Sequence, residues 1–141
     1  MPNIDRNKMY MKIAYEIANQ SYCVRRKVGS ILVKDKQIIS DGYNGTPAGF
    51  DNVCEIDKNT TKKEVLHAEL NALAKVGKST NSSDGVTMYI TLSPCQNCSS
   101  MIIQFGIKHV YYCEEYRDLS GVEMLKKAGV KVERIILDDN N

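Results

Sequence analysis

The chain predicts an α/β fold, a three-layer α/β/α sandwich on a mixed five-stranded sheet. From about residue 86 onward the order reads strand, helix, strand, helix, strand, and such alternation implies right-handed crossovers and parallel pairing. Earlier, two β-branched apolar runs flank the turn Lys34-Asp35-Lys36, which predicts an antiparallel hairpin. The length, 141 residues, fits one domain spanning 1–141. A chain of this size buries about 70% of its unfolded surface, enough for a core without staples.

The elements follow in order. Residues 5–20 carry Met9, Ile13 and Ile17, with Tyr10 and Ala14, at helical spacing, and Asp5 suits the N-cap. Residues 28–33 (Val-Gly-Ser-Ile-Leu-Val) and 37–43 (Gln-Ile-Ile-Ser-Asp-Gly-Tyr) are the hairpin strands. A polar, turn-rich loop then runs to about Lys63. Unstructured loops longer than roughly 12–15 residues are uncommon unless functional or disordered. Residues 64–76 form a second helix on Val65, Leu66, Leu70, Leu73 and Val76, and 79–85 a linker. Strands at 86–91, 107–113 and 130–137 alternate with helices at 95–105 and 119–128, the latter closed by Gly129. The tail Asp138–Asn141 is polar and of low complexity.

Bulk properties exclude several function classes. Nineteen basic and 17 acidic residues leave a formal net charge of +2, too weak a bias to point to a nucleic-acid polymer or an anionic membrane. The opening Met1-Pro2-Asn3-Ile4-Asp5-Arg6 lacks the apolar stretch of a signal peptide. No apolar run approaches the roughly 18 residues that span a bilayer. Five cysteines, an odd count without a secretion signal, argue against a disulfide framework and for a reducing, cytoplasmic setting.

The chemistry concentrates in His67-Ala68-Glu69 and Pro94-Cys95-Gln96-Asn97-Cys98. One imidazole and two thiols offer three ligands to zinc and leave a tetrahedral position for water, the ligand set of a catalytic site. Together the two segments match H-x-E…P-C-x-x-C, the pattern of zinc nucleobase deaminases. Cys95 and Cys98 are spaced i, i+3 in the first turn of a helix, whose positive end favours thiolate. His67 and Glu69 stand i, i+2, roughly 200° apart on a regular helix, so they serve one site only at the helix tip. A closed structural site would need Cys113, Cys54 or His109 as fourth ligand; a redox pair would need neither His67 nor Glu69.

The chain resembles the deoxycytidylate (dCMP) deaminases of the cytidine/deoxycytidylate deaminase superfamily over nearly its whole length. The resemblance is carried by those two segments and by residues 27–31, 42–49 (Gly-Tyr-Asn-Gly-Thr-Pro-Ala-Gly), 106–108 and 112–116. It implies the cytidine deaminase-like fold, zinc on His67, Cys95 and Cys98, and Glu69 as proton carrier. It implies hydrolysis of dCMP to dUMP for thymidylate supply, a homohexamer, activation by dCTP with Mg2+ and inhibition by dTTP. Substrate contacts fall on Asn44, Arg26, Ser93 and Tyr116, with Arg26 favoured over Arg25 and Lys27 for the phosphate. The effector segment corresponds to Tyr43, Gly45, Thr46 and Gly49. A second, structural zinc occurs in some members; here Cys23 and Cys54 lack a histidine partner, which leaves them, with Cys113, as buried small hydrophobes, and His109 as a partly solvated strand end. A deaminase of nucleosides, tRNA or single-stranded nucleic acid, and a zinc-binding module without turnover, are the competing readings.

Overall fold

The structure, a computed structural model, describes residues 5–137. Met1–Ile4, most of the opening segment, and the Asp138–Asn141 tail lie outside the described residues. The elements are α1 (Arg6–Ala18), β1 (Gly29–Lys34), β2 (Gln37–Tyr43), β3 (Glu55–Asp57), β4 (Thr60–Thr61), α2 (Ala68–Gly77), β5 (Thr87–Leu92), α3 (Gln96–Gln104), β6 (His109–Glu114), α4 (Ser120–Lys127) and β7 (Lys131–Arg134).

The five-stranded sheet has the order β2-β1-β5-β6-β7. The hairpin β1/β2 is antiparallel, β1 also pairs antiparallel with β5, and β5, β6 and β7 run parallel. This is the expected mixed sheet. Side chains alternate along each strand. Ile31, Val33 and Tyr89 pack under Tyr10, Met11 and Ala14 of α1. Leu32, Met88, Ile90 and Val110 point the other way, to Ala72 and Leu73 of α2, Ile102 of α3 and Leu125 of α4. One helix therefore covers one face and three cover the other.

Helix ends follow local chemistry. Asp5 caps α1 by accepting from the Lys8 N–H at 3.2 Å, and Gly129, at φ +90°, follows Ala128, the C-cap residue of α4. Three expectations shift. Helix α2 begins at Ala68 rather than 64, because Leu66 is held extended by reciprocal backbone bonds with Gly45 (2.8 and 3.1 Å). The long loop contains a small hairpin, β3/β4. The last strand is shorter than predicted, ending at Arg134.

The odd cysteine count misled on pairing. Cys23 and Cys54 are buried, as expected, but as a disulfide rather than as free thiols. They meet because the Glu55 carboxylate accepts the backbone N–H groups of Val24 (2.9 Å) and Arg25 (3.2 Å), which folds the loop back onto the segment before β1. The donor atoms of Cys23, Cys54 and Glu55 lie within 4.8 Å of one another, a group without a histidine. Cys113 is a half-buried member of the α1 face, and His109 opens β6 paired with Glu133 at 2.9 Å and stacked on Tyr111. No helix among the described residues is long and apolar enough to cross a membrane.

Helix α2 sits hard on β2. The Ser40 hydroxyl donates to the Ala72 carbonyl (2.7 Å), the Asn71 amide to the Tyr43 carbonyl (2.8 Å), and Lys75 pairs with Asp41 (2.7 Å). A Cβ on Gly42 would lie 2.5 Å from the Ala72 nitrogen and would also strike the Ala68 carbonyl. Gly42→Ala is thus expected to cost about 1–3 kcal/mol through overpacking, read as a lower Tm in thermal denaturation.

Candidate active site

Two helices begin at the same end of the sheet. His67 is the N-cap residue of α2, with an extended backbone and no side-chain capping bond, so its ring is left for another partner. Cys95 is the N-cap residue of α3, its sulfur facing the Cys98 N–H at 3.5 Å. The chain enters α3 directly from β5 through Ser93 and Pro94, both buried. Helix α4 leans on this turn: a Cβ on Gly121 would lie 2.7 Å from the Cys95 carbonyl carbon.

The three donors converge. His67 Nδ1 is 3.1 Å from Cys98 Sγ and 3.6 Å from Cys95 Sγ. A tetrahedral zinc site, with metal–sulfur distances of about 2.3 Å and metal–nitrogen distances of about 2.0–2.1 Å, has ligand–ligand edges of roughly 3.5–3.8 Å. All three donor atoms lie within 4.8 Å of one another, so the set fits zinc with small adjustments. The protons fit too. The Cys95 thiol is drawn down to about 4, first by its hydrogen bond with Cys98 and then by that with His67. The Cys98 thiol is pushed up, first by the bond to Cys95 and then by burial. The pair thus holds one thiolate and one thiol, and a dication between them favours thiolate at both. The bond to Cys95 also raises the His67 pKa.

Glu69, in the first turn of α2, is 3% exposed. Burial raises its carboxyl pKa to about 7, against the lowering effects of a backbone hydrogen bond and of the His67 charge. A carboxyl so balanced can take up and give back a proton near neutrality. The helix-tip condition set by the i, i+2 spacing is met because His67 lies just outside the helix and Glu69 just inside it.

His67, Cys95 and Glu69 line a cavity of about 320 Å³, within the range of small-ligand sites. Its wall includes Val28, Asn44, Ile90, Leu92, Ser93 and Tyr116, and its mouth Arg25, Arg26, Glu55 and Thr61. All four predicted substrate residues are brought together. The Asn44 side chain is spent on backbone: it accepts from the Val28 N–H at 2.9 Å and donates to the Arg26 carbonyl at 2.7 Å. The Ser93 hydroxyl accepts the Tyr116 N–H at 2.9 Å. The Arg26 guanidinium lies 6.0 Å from the Tyr116 ring centre. The predicted effector residues Tyr43, Gly45, Thr46 and Gly49 do not line this cavity. Thr46 is tied to the Tyr22 hydroxyl (2.8 Å from its N–H), and Gly49 is at φ +91° in open space.

Sequence reasoning missed Glu55 and Thr61. Arg25 donates to the Thr61 hydroxyl at 3.0 Å, and Glu55 accepts the backbone N–H groups of Val24 and Arg25. The signal was faint, a β-branched and polar stretch inside a loop that reads as turn.

A sheet whose two helix N-termini hold a His-Cys-Cys trio beside a buried glutamate defines a zinc-dependent nucleobase-type deaminase site. The chain belongs to the cytidine and deoxycytidylate deaminase family: the zinc-binding region of that family matches residues 4–114. It is 46% identical to the dCMP deaminase of cyanophage S-TIM5, whose crystal structure is in complex with dCMP and dUMP; the match covers 96% of this chain and 100% of that one, with a TM-score of 0.91. It is 39% identical over 145 residues to the ComE operon protein 2 of Bacillus subtilis, covering 99% of this chain and 76% of that protein. It is 32% identical to the deoxycytidylate deaminase of Enterobacteria phage T4, covering 86% of each.

The donor set makes a prediction of its own. Cys98→Ala should lower zinc affinity by more than the roughly 10–100-fold that loss of an outer-shell partner costs. Cys113→Ala, outside the set, should keep the metal. Metal analysis after dialysis against a chelator checks both.

Proposed function

We propose that this chain hydrolyses dCMP to dUMP and ammonia. The reading rests on one observation: His67 and Cys95, two members of the converging donor trio, line the same cavity as a buried carboxyl and a guanidinium. The likeness to the phage enzymes supports dCMP as the substrate.

When bound by His67, Cys95 and Cys98, zinc supplies Lewis acidity that makes a water nucleophilic near neutral pH. Glu69 takes the proton from that water as it attacks C4 of the cytosine, and delivers it to N3. Glu69 then takes the hydroxyl proton of the C4 adduct and passes it to the amino group; the C4 carbonyl forms as the C–N bond breaks, and ammonia departs. The raised carboxyl pKa suits both directions of transfer. Burial of Glu69 among Ala68, Ile90 and Leu92 keeps bulk water away from the proton path.

Arg26 binds the 5′-phosphate, with Tyr116 packed beside the nucleotide. Asn44 orders the 26–28 segment through its two backbone bonds while facing the sugar, and Ser93 fixes the Tyr116 backbone. The reading extends to a cytoplasmic homohexamer that supplies thymidylate precursors, activated by dCTP with Mg2+ and inhibited by dTTP, through the segment of Tyr43, Gly45, Thr46 and Gly49.

Ammonia release from dCMP, cytidine and a cytosine-containing oligonucleotide, with and without dCTP, tests the substrate and the regulation, and the oligomer mass tests the assembly. dCMP is expected to be turned over best; preference for cytidine or the oligonucleotide overturns the reading. Glu69→Gln should retain zinc yet lose about 10²–10⁴-fold in kcat. Near-normal turnover in that variant would remove Glu69 from the mechanism.

A further inference from the structure

The carboxylate of Glu114, at the end of β6, is engaged on both oxygens. Oε1 accepts from Arg26 Nη2 at 3.2 Å, and Oε2 accepts from the Tyr15 hydroxyl of α1 at 2.5 Å. Its backbone carbonyl accepts the Ser93 N–H at 2.8 Å, and the Ser93 hydroxyl in turn receives the Tyr116 N–H at 2.9 Å. One residue thus ties together the guanidinium at the cavity mouth, the strand end that leads to Cys95 and the tyrosine beneath the guanidinium. Arg26 is fixed from its other end as well, by the Asn44 amide on its carbonyl at 2.7 Å.

A long cationic side chain that is half exposed samples many rotamers, and holding it in one pose costs entropy at the moment of binding. Pre-orienting it removes that cost. Guanidinium carries five N–H donors in a rigid fork, so a single bond to Oε1 leaves the others for an anion. Burial, together with Cys113 and Glu114, raises the Tyr15 pKa, so the phenol remains a donor to Oε2. The carboxylate would otherwise be a mobile negative charge beside an incoming phosphate. Fixed between two donors, it is held at the side of Arg26.

We propose that Glu114, steadied by Tyr15, is a positioning residue that sets Arg26 to grip the 5′-phosphate, and so contributes to the preference for a nucleotide over a nucleoside. The inference rests on the reading of the cavity as a dCMP site with Arg26 on the phosphate. Glu114 touches neither the donor trio nor the base, so its removal acts on binding and not on the chemical step.

The test compares Glu114→Gln, Tyr15→Phe, Arg26→Gln and the Arg26→Gln/Glu114→Gln pair in the zinc-loaded enzyme. KM and kcat are read for dCMP, and deoxycytidine, which lacks the phosphate, is the control as substrate or competitive inhibitor. Arg26→Gln should raise the dCMP KM roughly 10- to 100-fold, the range of a lost charge-assisted bond. Glu114→Gln should raise it about two- to fivefold with kcat held, as befits a half-exposed pair, and Tyr15→Phe should shift it in the same direction. Deoxycytidine should keep its constants in both. The pair should be no worse than Arg26→Gln alone. An unchanged dCMP KM in Glu114→Gln and Tyr15→Phe, an equal loss for deoxycytidine, or full additivity in the pair overturns the inference while leaving the dCMP reading intact. A lack of any selective effect in Arg26→Gln overturns the phosphate reading and the inference with it.

Discussion

Everything in this molecule that bears on chemistry depends on two helix N-termini held at one end of the sheet. Strands β2 and β5 deliver the chain to the same edge, since each is antiparallel to β1. The loop after β2 leads to His67 and α2, while the two-residue step after β5 leads to Cys95 and α3. A helix start is electropositive and presents free N–H groups, so it stabilises thiolate and carboxylate alike. Had either helix been joined at the opposite edge, the imidazole and the thiols would lie a strand length apart. The packing of α2 on Gly42 and of α4 on Gly121 therefore serves geometry as much as stability, because each fixes the helix or turn that carries a donor.

The electrostatics of the site form one linked problem. Without a cation, the hydrogen bond with Cys95 and then burial keep a proton on Cys98, and burial brings the Glu69 carboxyl up to about 7. A dication resolves the thiol half of the conflict. At the carboxyl the largest influence is desolvation, which raises its pKa to about 7. On the proposed reading, the fold separates two tasks: the trio binds the metal, and the neighbouring carboxyl, out of solvent, moves protons.

Much of this was legible in the sequence. The parallel half of the sheet followed from the strand–helix alternation after residue 86, and the hairpin from Lys34-Asp35-Lys36, where Asp35 and Lys36 indeed take positive φ. The donor trio and Glu69 were legible because their spacing is bound to the first turns of two helices. The pairing of Cys23 with Cys54 was not: they stand 31 residues apart, and only the folding of the loop by Glu55 brings them together. The start of α2 was misread because Val65 and Leu66 continue the helical apolar spacing, while tertiary pairing with Gly45 holds Leu66 extended. Periodicity records which face is apolar; it cannot record a partner strand supplied by a distant loop.

The cavity itself is built in two grades, and that difference has a physical reason. Its floor is made of buried groups on regular elements, among them Glu69, Ile90 and Leu92. Proton transfer tolerates little misplacement, so the reacting end belongs on rigid backbone. The mouth is made of exposed side chains, Arg25 and Arg26, and of Glu55 and Thr61 on the small β3/β4 hairpin. A phosphate is recognised by charge and by several equivalent oxygens, which tolerates small movements. The Asn44 amide steadies the mouth: its bonds to Val28 and Arg26 tie the backbone that carries Arg26 to the end of β2. Its contribution is therefore scaffold first, and any contact it makes with a sugar is made by an already immobilised group.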